Sequence, residues 1–195
     1  MFSHLSGVTI MGIDPGSNMG ITIAYADIDT KLCTILDSYT ISIDSMMRNV
    51  PDTKLLTTNK RYLIDQYLSD NLITAMRRYD VEHVIYEAAY SRVSLLAYES
   101  LLFYGDVIRK SVNRYDWDVL SESVPPSVVK KNVGVSGNTG DKSLVKNAVL
   151  SHPCIIIPDN INTNTLTEHA IDSIAIAWYG AKSVFDTVNT CYRRK

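Results

Sequence analysis

Residues 8–20, VTIMGIDPGSNMG, decide the fold of this chain. The first half, VTIMGID, is a continuous run of mostly β-branched and apolar residues, which is typical of a buried strand. The run stops at Asp14-Pro15-Gly16, a strong turn signal, so the strand ends in a carboxylate. Residues 20–26 (GITIAYA) again have the composition of a strand. The short connection between the two runs predicts an antiparallel pair.

The rest of the chain continues this pattern and adds helices. Apolar runs predict further strands over residues 32–43, 83–87 (HVIYE) and 117–120. Helical spacing of apolar residues predicts helices over residues 59–79, 93–112, 125–131, 141–150 and 168–184. The polar stretches 44–58 and 158–165 are predicted to be loops. An order that begins β-β-β-α-β-α-β-α indicates an α/β fold with a mixed sheet.

The composition excludes several classes of protein. The chain has 195 residues, 46% of them hydrophobic and 21% charged, so one domain with a full core is expected. No apolar stretch reaches the ~18 residues that a membrane span needs, and the first residues do not have the pattern of a signal peptide. The three cysteines, Cys33, Cys154 and Cys191, have no CxxC spacing. We therefore expect a cytoplasmic protein without a disulfide framework or a zinc–thiolate site.

The net charge of −2 hides an asymmetry between the two parts of the chain. Up to residue 125 there are 11 basic and 16 acidic residues, and from residue 126 onward there are 8 basic and 5 acidic residues. The basic excess leaves room for a polyanionic partner if the acidic residues are neutralised by cations.

Three carboxylates lie where a sheet fold exposes functional groups. Asp14 and Glu87 end predicted strands, and Asp172 lies in the apolar helix segment AIDSIAIAW. Asp14 could instead form an Asx-turn and Glu87 could be an exposed strand end, but a carboxylate buried in a helix needs a partner or a cation. His169 precedes Asp172 by three residues and so shares its helix face. Glu168 has a different explanation, because Thr165-x-x-Glu168 has the pattern of a capping box.

Three segments together resemble a known family. In order and spacing, GIDPGSNMG (12–20), VIYEAAY (84–90) and HAIDSIAIA (169–177) are similar to the active-site motifs of RuvC-type Holliday-junction resolvases. The stretch SVVKKNVGVSGNTGDKSLVK (127–146) is also similar. The resemblance covers nearly the whole chain, and it implies a single RNase H-like nuclease domain over residues 1–195, with a mixed central sheet flanked by helices.

The resemblance also implies a reaction and a cofactor. The catalytic and metal-ligating residues would be Asp14, Glu87, His169 and Asp172, with His169 at a position where some members of the family carry Asp. Two Mg²⁺ ions per site, which Mn²⁺ could replace, would activate water and stabilise the leaving oxygen of a phosphodiester. Whether His169 is a ligand or a base stays open. The expected activity is resolution of four-way DNA junctions by paired nicks, with RNA, flaps or branched replication intermediates as alternative substrates, or junction binding without catalysis as a further alternative.

Other residues are expected to contact DNA. In the family, an aromatic residue at the position of Tyr90 stacks on unpaired bases, although an ordinary core tyrosine is the simpler interpretation. Four lysines could contact phosphates, or could equally lie on solvated helix faces: Lys130, Lys131, Lys142 and Lys146.

The near two-fold symmetry of a four-way junction suggests a homodimer, which could place two active sites on the same side. The predicted helix over 93–112 has more apolar surface than one sheet can cover. We therefore expect the dimer interface there, with Leu95, Leu102 and Phe103 as candidates.

Two competing interpretations are weaker. The segment GVSGNTGDKS (134–143) resembles a P-loop, but Asp141 separates Gly140 from Lys142 and no apolar strand leads into it. The sugar-kinase and actin superfamily also has an Asp-x-Gly loop after its first strand, but those proteins need two such domains.

Overall fold

The computed structural model describes residues 7–48, 57–90 and 94–192. Six strands form one sheet: β1 (Gly7–Asp14), β2 (Asn18–Asp27), β3 (Leu32–Ser42), β4 (His83–Glu87), β5 (Leu120–Val124) and β6 (Ile155–Ile156). The helices are α1 (Ile43–Arg48), α2 (Thr57–Tyr79), α3 (Leu95–Tyr115), α4 (Pro126–Asn132), α5 (Lys142–Leu150) and α6 (Glu168–Tyr192).

The sheet is mixed, as the sequence predicts. Its strand order is β5-β4-β1-β2-β3-β6. The first three strands form an antiparallel meander, whereas β4 runs parallel to β1 and β5 runs parallel to β4. The carboxyl ends of β1, β4 and β5 therefore meet at one end of the sheet, which is where functional residues concentrate in open α/β sheets.

Two hydrophobic cores lie on opposite faces of the sheet. One face packs mainly against α6, with contributions from α4 and α5, and the other packs against α2 and α3. Ile10 and Ile85 belong to the first core, and Met11 and Val84 belong to the second. Neighbouring residues of one strand thus face opposite cores, which explains why the central strands are apolar throughout.

Several elements differ from the sequence-based prediction. The stretch 44–58 is not only a loop, because α1 begins just before it with the buried Ile43 and extends into it to Arg48, and α2 begins at Thr57. Residues 49–56 lie outside the described part. Helix α6 continues past the predicted end at residue 184 to Tyr192. The short strand β6 was not predicted. It pairs through the backbone with Cys33 and Thr34.

The predicted strand over 117–120 is also wrong. Trp117 lies in a turn and is 85% exposed, whereas the strand runs over Leu120–Val124. In the turn, the backbone N–H of Asp118 donates to Asp116 Oδ1. Helix α3 runs from Leu95 to Tyr115, with Ser94 as its N-cap, and residue 93 lies outside the described part.

Two general properties follow from the described residues. No helix among them is both long enough and apolar enough to cross a membrane. Cys33 and Cys154 carry free thiols, and the side chain of Cys191 is outside the description.

Candidate active site

Asp14 and Glu87 end two neighbouring parallel strands. Ile13 on β1 pairs with Tyr86 on β4, so the next residue of each strand is a carboxylate at the same end of the sheet. Both side chains are only partly accessible to solvent. The strand-end positions predicted from the two apolar runs therefore bring these carboxylates to one place.

Helix α6 brings two further residues to this end of the sheet. His169 and Asp172 lie in its first turns, and α6 packs directly on β1 and β2. Two glycines allow this close approach. A Cβ on Gly20 would overlap the backbone carbonyl of His169, and a Cβ on Gly12 would lie 2.5 Å from the backbone nitrogen of Ala177. Because Gly20 also pairs with Asp14 across β1 and β2, it places the start of α6 next to that carboxylate.

A hydrogen bond joins His169 to Asp14. The distance from His169 Nδ1 to Asp14 Oδ2 is 2.7 Å. This bond raises the pKa of the His169 imidazole, and the negative charges of Asp14 and Asp172 act in the same direction, whereas partial burial and Lys142 oppose them. The geometry orients the imidazole and favours its protonated form.

The other two carboxyl groups have strongly raised pKa values. Burial raises the pKa of Glu87 to about 8, and the charges of Asp14 and Asp172 add to the shift. Burial also raises the pKa of Asp172 to about 6, with a further contribution from Asp14. The three carboxylates thus repel each other in a poorly solvated part of the molecule. Ionisable groups with pKa values shifted in this way concentrate at functional sites.

The chemistry of these donors suits a hard divalent cation. Carboxylate oxygens are the preferred ligands of Mg²⁺, and a bound cation would relieve the repulsion that raises the pKa values of Glu87 and Asp172. Among the described residues, however, no three His, Cys, Asp or Glu side chains are already arranged to hold one metal ion. One Asp14 oxygen is instead engaged by His169. The residue types and charges fit a divalent metal, and the side chains would have to rearrange around it.

Two of the four predicted lysines contribute positive charge to this place. The charges of Lys130 and Lys142 both lower the pKa of Asp172, and Lys130 also lowers the pKa of Glu87. Lys130 is held by the loop that follows α4, because its Nζ donates to the carbonyl of Thr139 at 2.8 Å. Lys142 begins α5 and forms an ion pair with Glu168, which raises the pKa of the lysine.

The remaining predicted DNA-binding residues are more peripheral. Lys146 lines a cavity of about 270 Å³ that also includes Lys142 and Asp172. Lys131 is exposed on α4, on the same helix as Lys130. Tyr90 follows the end of β4 and is 43% exposed, so it is not a core tyrosine.

Glu168 is the residue whose place the sequence pattern missed. The predicted capping box of Thr165 and Glu168 is wrong, because α6 begins at Glu168 and the residue before it provides the cap. The Thr167 hydroxyl accepts a hydrogen bond from the backbone N–H of Ala170. Glu168 therefore remains available to Lys142 at the edge of the site. Its position directly before His169 is the one sequence signal that could have indicated this.

The three candidate interface residues have different surroundings. Leu95 is 72% exposed and Leu102 is 48% exposed. Phe103 is partly buried, because it packs against the core on the α2 and α3 side, and the guanidinium of Arg61 lies over its ring.

Comparisons with known proteins agree on the fold. No protein-family model matches the chain, and no curated protein is significantly similar to it in sequence. Among solved structures, RuvC of Thermus thermophilus is similar over 94% of this chain and 98% of its own, with a TM-score of 0.67 and 14% identity. The yeast mitochondrial Holliday junction resolvase Ydc2 is similar over 96% of this chain and 85% of its own, with a TM-score of 0.68 and 12% identity.

A viral enzyme extends the same comparison. The fowlpox virus Holliday junction resolvase is similar over 92% of this chain and 99% of its own, with a TM-score of 0.55 and 12% identity. The chain therefore has the RNase H-like fold of RuvC-type resolvases, as the sequence motifs indicate.

Proposed function

We propose that this protein is a metal-dependent nuclease that resolves four-way DNA junctions by paired nicks in the cytoplasm. The observation that carries the proposal is the convergence of Asp14, Glu87, His169 and Asp172 at the carboxyl ends of β1 and β4, on the fold of junction resolvases. The free thiols of Cys33 and Cys154 support a reducing compartment. The proposal treats residues 1–195 as one nuclease domain.

Asp14, Glu87, His169 and Asp172 would hold two Mg²⁺ ions, and Mn²⁺ has ligand preferences similar enough to replace them. When bound, the ions stabilise negative charge on the phosphate oxygens and on the leaving oxygen. The raised pKa values of Glu87 and Asp172 support this assignment, since both side chains would be ionised as ligands and need a compensating positive charge.

His169 has two roles that its contacts support. Through its bond to Asp14 it fixes the direction of that carboxylate, and the ring nitrogen that does not face Asp14 can ligate or exchange a proton with water. The hydrogen bond to Asp14 raises the pKa of His169, so more of the metal-free protein carries the protonated imidazole that can donate a proton. His169 would have to lose the proton on the ring nitrogen that faces away from Asp14 before that nitrogen could serve as a metal ligand.

The lysines and Tyr90 would bind the DNA. Lys130 and Lys142 partly oppose the rise in the pKa of Asp172, and Lys130 does the same for Glu87, so both lysines lie close enough to suit contacts to the phosphate that is cut. Lys131 and Lys146 would bind phosphates further along the strand. Tyr90 is exposed at the end of β4 and would stack on an unpaired base, which contributes ~1 to 3 kcal/mol per base.

A cleavage assay on matched substrates tests the reaction. Synthetic four-way junctions, flaps, RNA/DNA hybrids and plain duplex of the same sequence are incubated with Mg²⁺, and the products are separated on denaturing gels. We expect symmetric nicks in the junction and little cleavage of the duplex. Equal cleavage of all four substrates would contradict junction selectivity, and preferred cleavage of the hybrid would indicate an RNase instead. The Asp14→Asn variant, prepared identically, controls for contaminating nucleases.

Two cuts on opposing strands are most simply made by a homodimer. We propose that its interface lies on the exposed side of α3, around Leu95 and Leu102, and includes the partly buried Phe103 beside them. Leu102→Glu should yield a folded monomer that binds junctions weakly and makes single nicks. Light scattering and circular dichroism check this, with Leu144→Glu on α5 as a matched exposed control. A folded dimer that is unchanged by Leu102→Glu would contradict the interface.

A further inference from the structure

The end of the sheet opposite the candidate active site has an exposed apolar patch. Trp117 is 85% exposed and Leu120 is 66% exposed, and the two residues are close together in the chain. Two open cavities of about 440 and 390 Å³ adjoin Leu120, and both are also lined by His83 and Val184. The patch therefore has depressions that could receive apolar side chains, in addition to its exposed surface.

The architecture explains why this patch is uncovered. Helix α6 packs mainly on β1, β2, β3 and β4, so it leaves the neighbouring face of β5 open. Strand β5 is also at the edge of the sheet and pairs only with β4 in the part of the chain that the structure describes. Ser121 and Ser123 are exposed along this edge. An open strand edge can accept an added strand from another chain.

Carboxylates surround the patch. Residues 80–83 and 116–122 contain five acidic residues and no lysine or arginine: Asp80, Glu82, Asp116, Asp118 and Glu122. Arg77, Arg78 and Arg114 lie in the adjoining helix turns, and the five carboxylates still leave this rim net negative. An acidic rim repels a nucleic-acid backbone, so Trp117 is poorly placed to stack on DNA, in contrast to Tyr90.

The five carboxylates together with Trp117 and Leu120 form what we call the distal surface. We propose that the distal surface binds an extended basic segment of a partner protein. The segment would pair along the open edge of β5. Its apolar side chains would fill the cavities beside Leu120 and cover Trp117, and its lysines or arginines would face the acidic rim. Charge complementarity selects this partner over DNA, and the inference is independent of the nuclease activity proposed above.

Peptide binding tests the proposal on the full chain. The probes are a library of short labelled peptides with alternating basic and apolar residues (KVRLKVRL and variants of its apolar positions) and matched peptides in which the basic residues are acidic. Anisotropy gives the affinity. Tryptophan emission reports the place of binding, because the chain has two tryptophans and Trp178 is buried. We expect a basic peptide to bind and to shift the Trp117 emission to the blue.

Paired variants separate a specific surface from general attraction. Asp116→Asn combined with Asp118→Asn should weaken binding at least about tenfold. Asp29→Asn combined with Asp159→Asn removes the same charge at exposed positions elsewhere and should leave the affinity unchanged. Equal losses in both double variants would overturn the proposal, because binding would then follow net charge alone.

Two further measurements test the form of the occupant. N-methylation of alternate peptide bonds should abolish binding, since the segment would lose its hydrogen bonds to β5. Retained affinity would overturn strand addition.

The oligomeric state of the Trp117→Glu variant, measured by size-exclusion chromatography, should be the same as that of the unmodified protein. If this variant instead converts a dimer to a monomer, the distal surface joins two copies of this chain and the proposal is wrong. A library without any binder would also overturn it.

Discussion

Carboxylates are concentrated at both ends of the sheet, but the two groups differ in their burial. At the carboxyl ends of β1 and β4, Asp14, Glu87 and Asp172 are partly buried, and burial together with the charge of Asp14 raises the pKa values of Glu87 and Asp172. At the distal surface, four of the five carboxylates are exposed, and only Glu122 is partly buried. A count of acidic residues therefore does not identify an active site. Carboxylates that are buried next to each other need a cation to balance their charge. Exposed carboxylates do not, because water screens their charges.

The largest effect is expected from removing one carboxylate at the site. Asp14→Asn, Glu87→Gln and Asp172→Asn should each lower the cleavage rate by at least about a thousandfold, because each removes a metal ligand. Junction binding should be unchanged or tighter, since negative charge near phosphate is also removed. Single-turnover cleavage and gel-shift titrations measure the two properties separately.

The opposite end of the sheet provides the control for these variants. Asp116→Asn combined with Asp118→Asn removes two carboxylates from the distal surface and should cleave junctions at the rate of the unmodified protein. If this double variant also loses cleavage, or if a site variant keeps its rate in Mg²⁺, the contrast between buried and exposed carboxylates does not explain catalysis.

Replacing His169 is expected to have the next largest effect and to separate its two roles. His169→Asp would keep substantial activity if the side chain is a metal ligand, because a carboxylate can replace it. His169→Ala should be much less active. Similar and severe losses in both variants would instead favour proton transfer by the imidazole. Cleavage rates measured across a pH series with each variant distinguish these outcomes.

The raised pKa of Glu87 predicts an effect of pH on the stability of the metal-free protein. Between pH 4.5 and about 8, folded Glu87 retains a proton that the unfolded chain has released. The free energy of unfolding should therefore fall as the pH rises through this window. Urea denaturation in a chelator at the two limits measures the change.

Glu87→Gln is the control for this pH effect. The variant should lose less stability than the unmodified protein over the same pH range, because glutamine has no proton to release. Equal slopes for the two proteins would show that Glu87 is ionised in the folded, metal-free state. Added Mg²⁺ should stabilise the unmodified protein most at the higher pH, where the carboxylates are ready to bind it.

The smallest effect is expected at the distal surface. Trp117→Ala should change the free energy of unfolding by no more than about 0.5 kcal/mol, since an exposed side chain loses few contacts. Thermal denaturation followed by circular dichroism measures this. A loss of several kcal/mol would mean that Trp117 supports the fold, and the distal surface would then no longer contrast with the buried site.

The sequence predicted the central strands well because both faces of these strands are buried. The runs that end at Asp14 and Glu87 are apolar throughout, so their pattern does not depend on knowing the neighbours. Strand β5 was misplaced for the opposite reason. It is an edge strand with the polar sequence LSESV, whereas the more apolar stretch that includes Trp117 forms a turn.

The site could be predicted only as far as its positions along the chain. Strand ends and helical spacing indicated Asp14, Glu87, His169 and Asp172, and the motif resemblance grouped them. The ion pair between Lys142 and Glu168 joins residues on different helices, so no local pattern reveals it. For the same reason a local capping pattern assigned Glu168 a role that Thr167 fulfils. The metal-ligating, DNA-binding and interface roles of individual residues remain predictions.

Helix α6 connects the candidate active site with the region near the distal surface. With 25 residues and ~1.5 Å per residue it is roughly 37 Å long, and it carries His169 near one end and Val184 towards the other. Because α6 packs closely on Gly12 and Gly20, the helix has little freedom to slide along the sheet. If the helix moves as a rigid rod, a small tilt imposed at one end therefore also moves the other end. A bulky substitution midway, such as Ala177→Leu, should shift His169 relative to Asp14 although it touches neither.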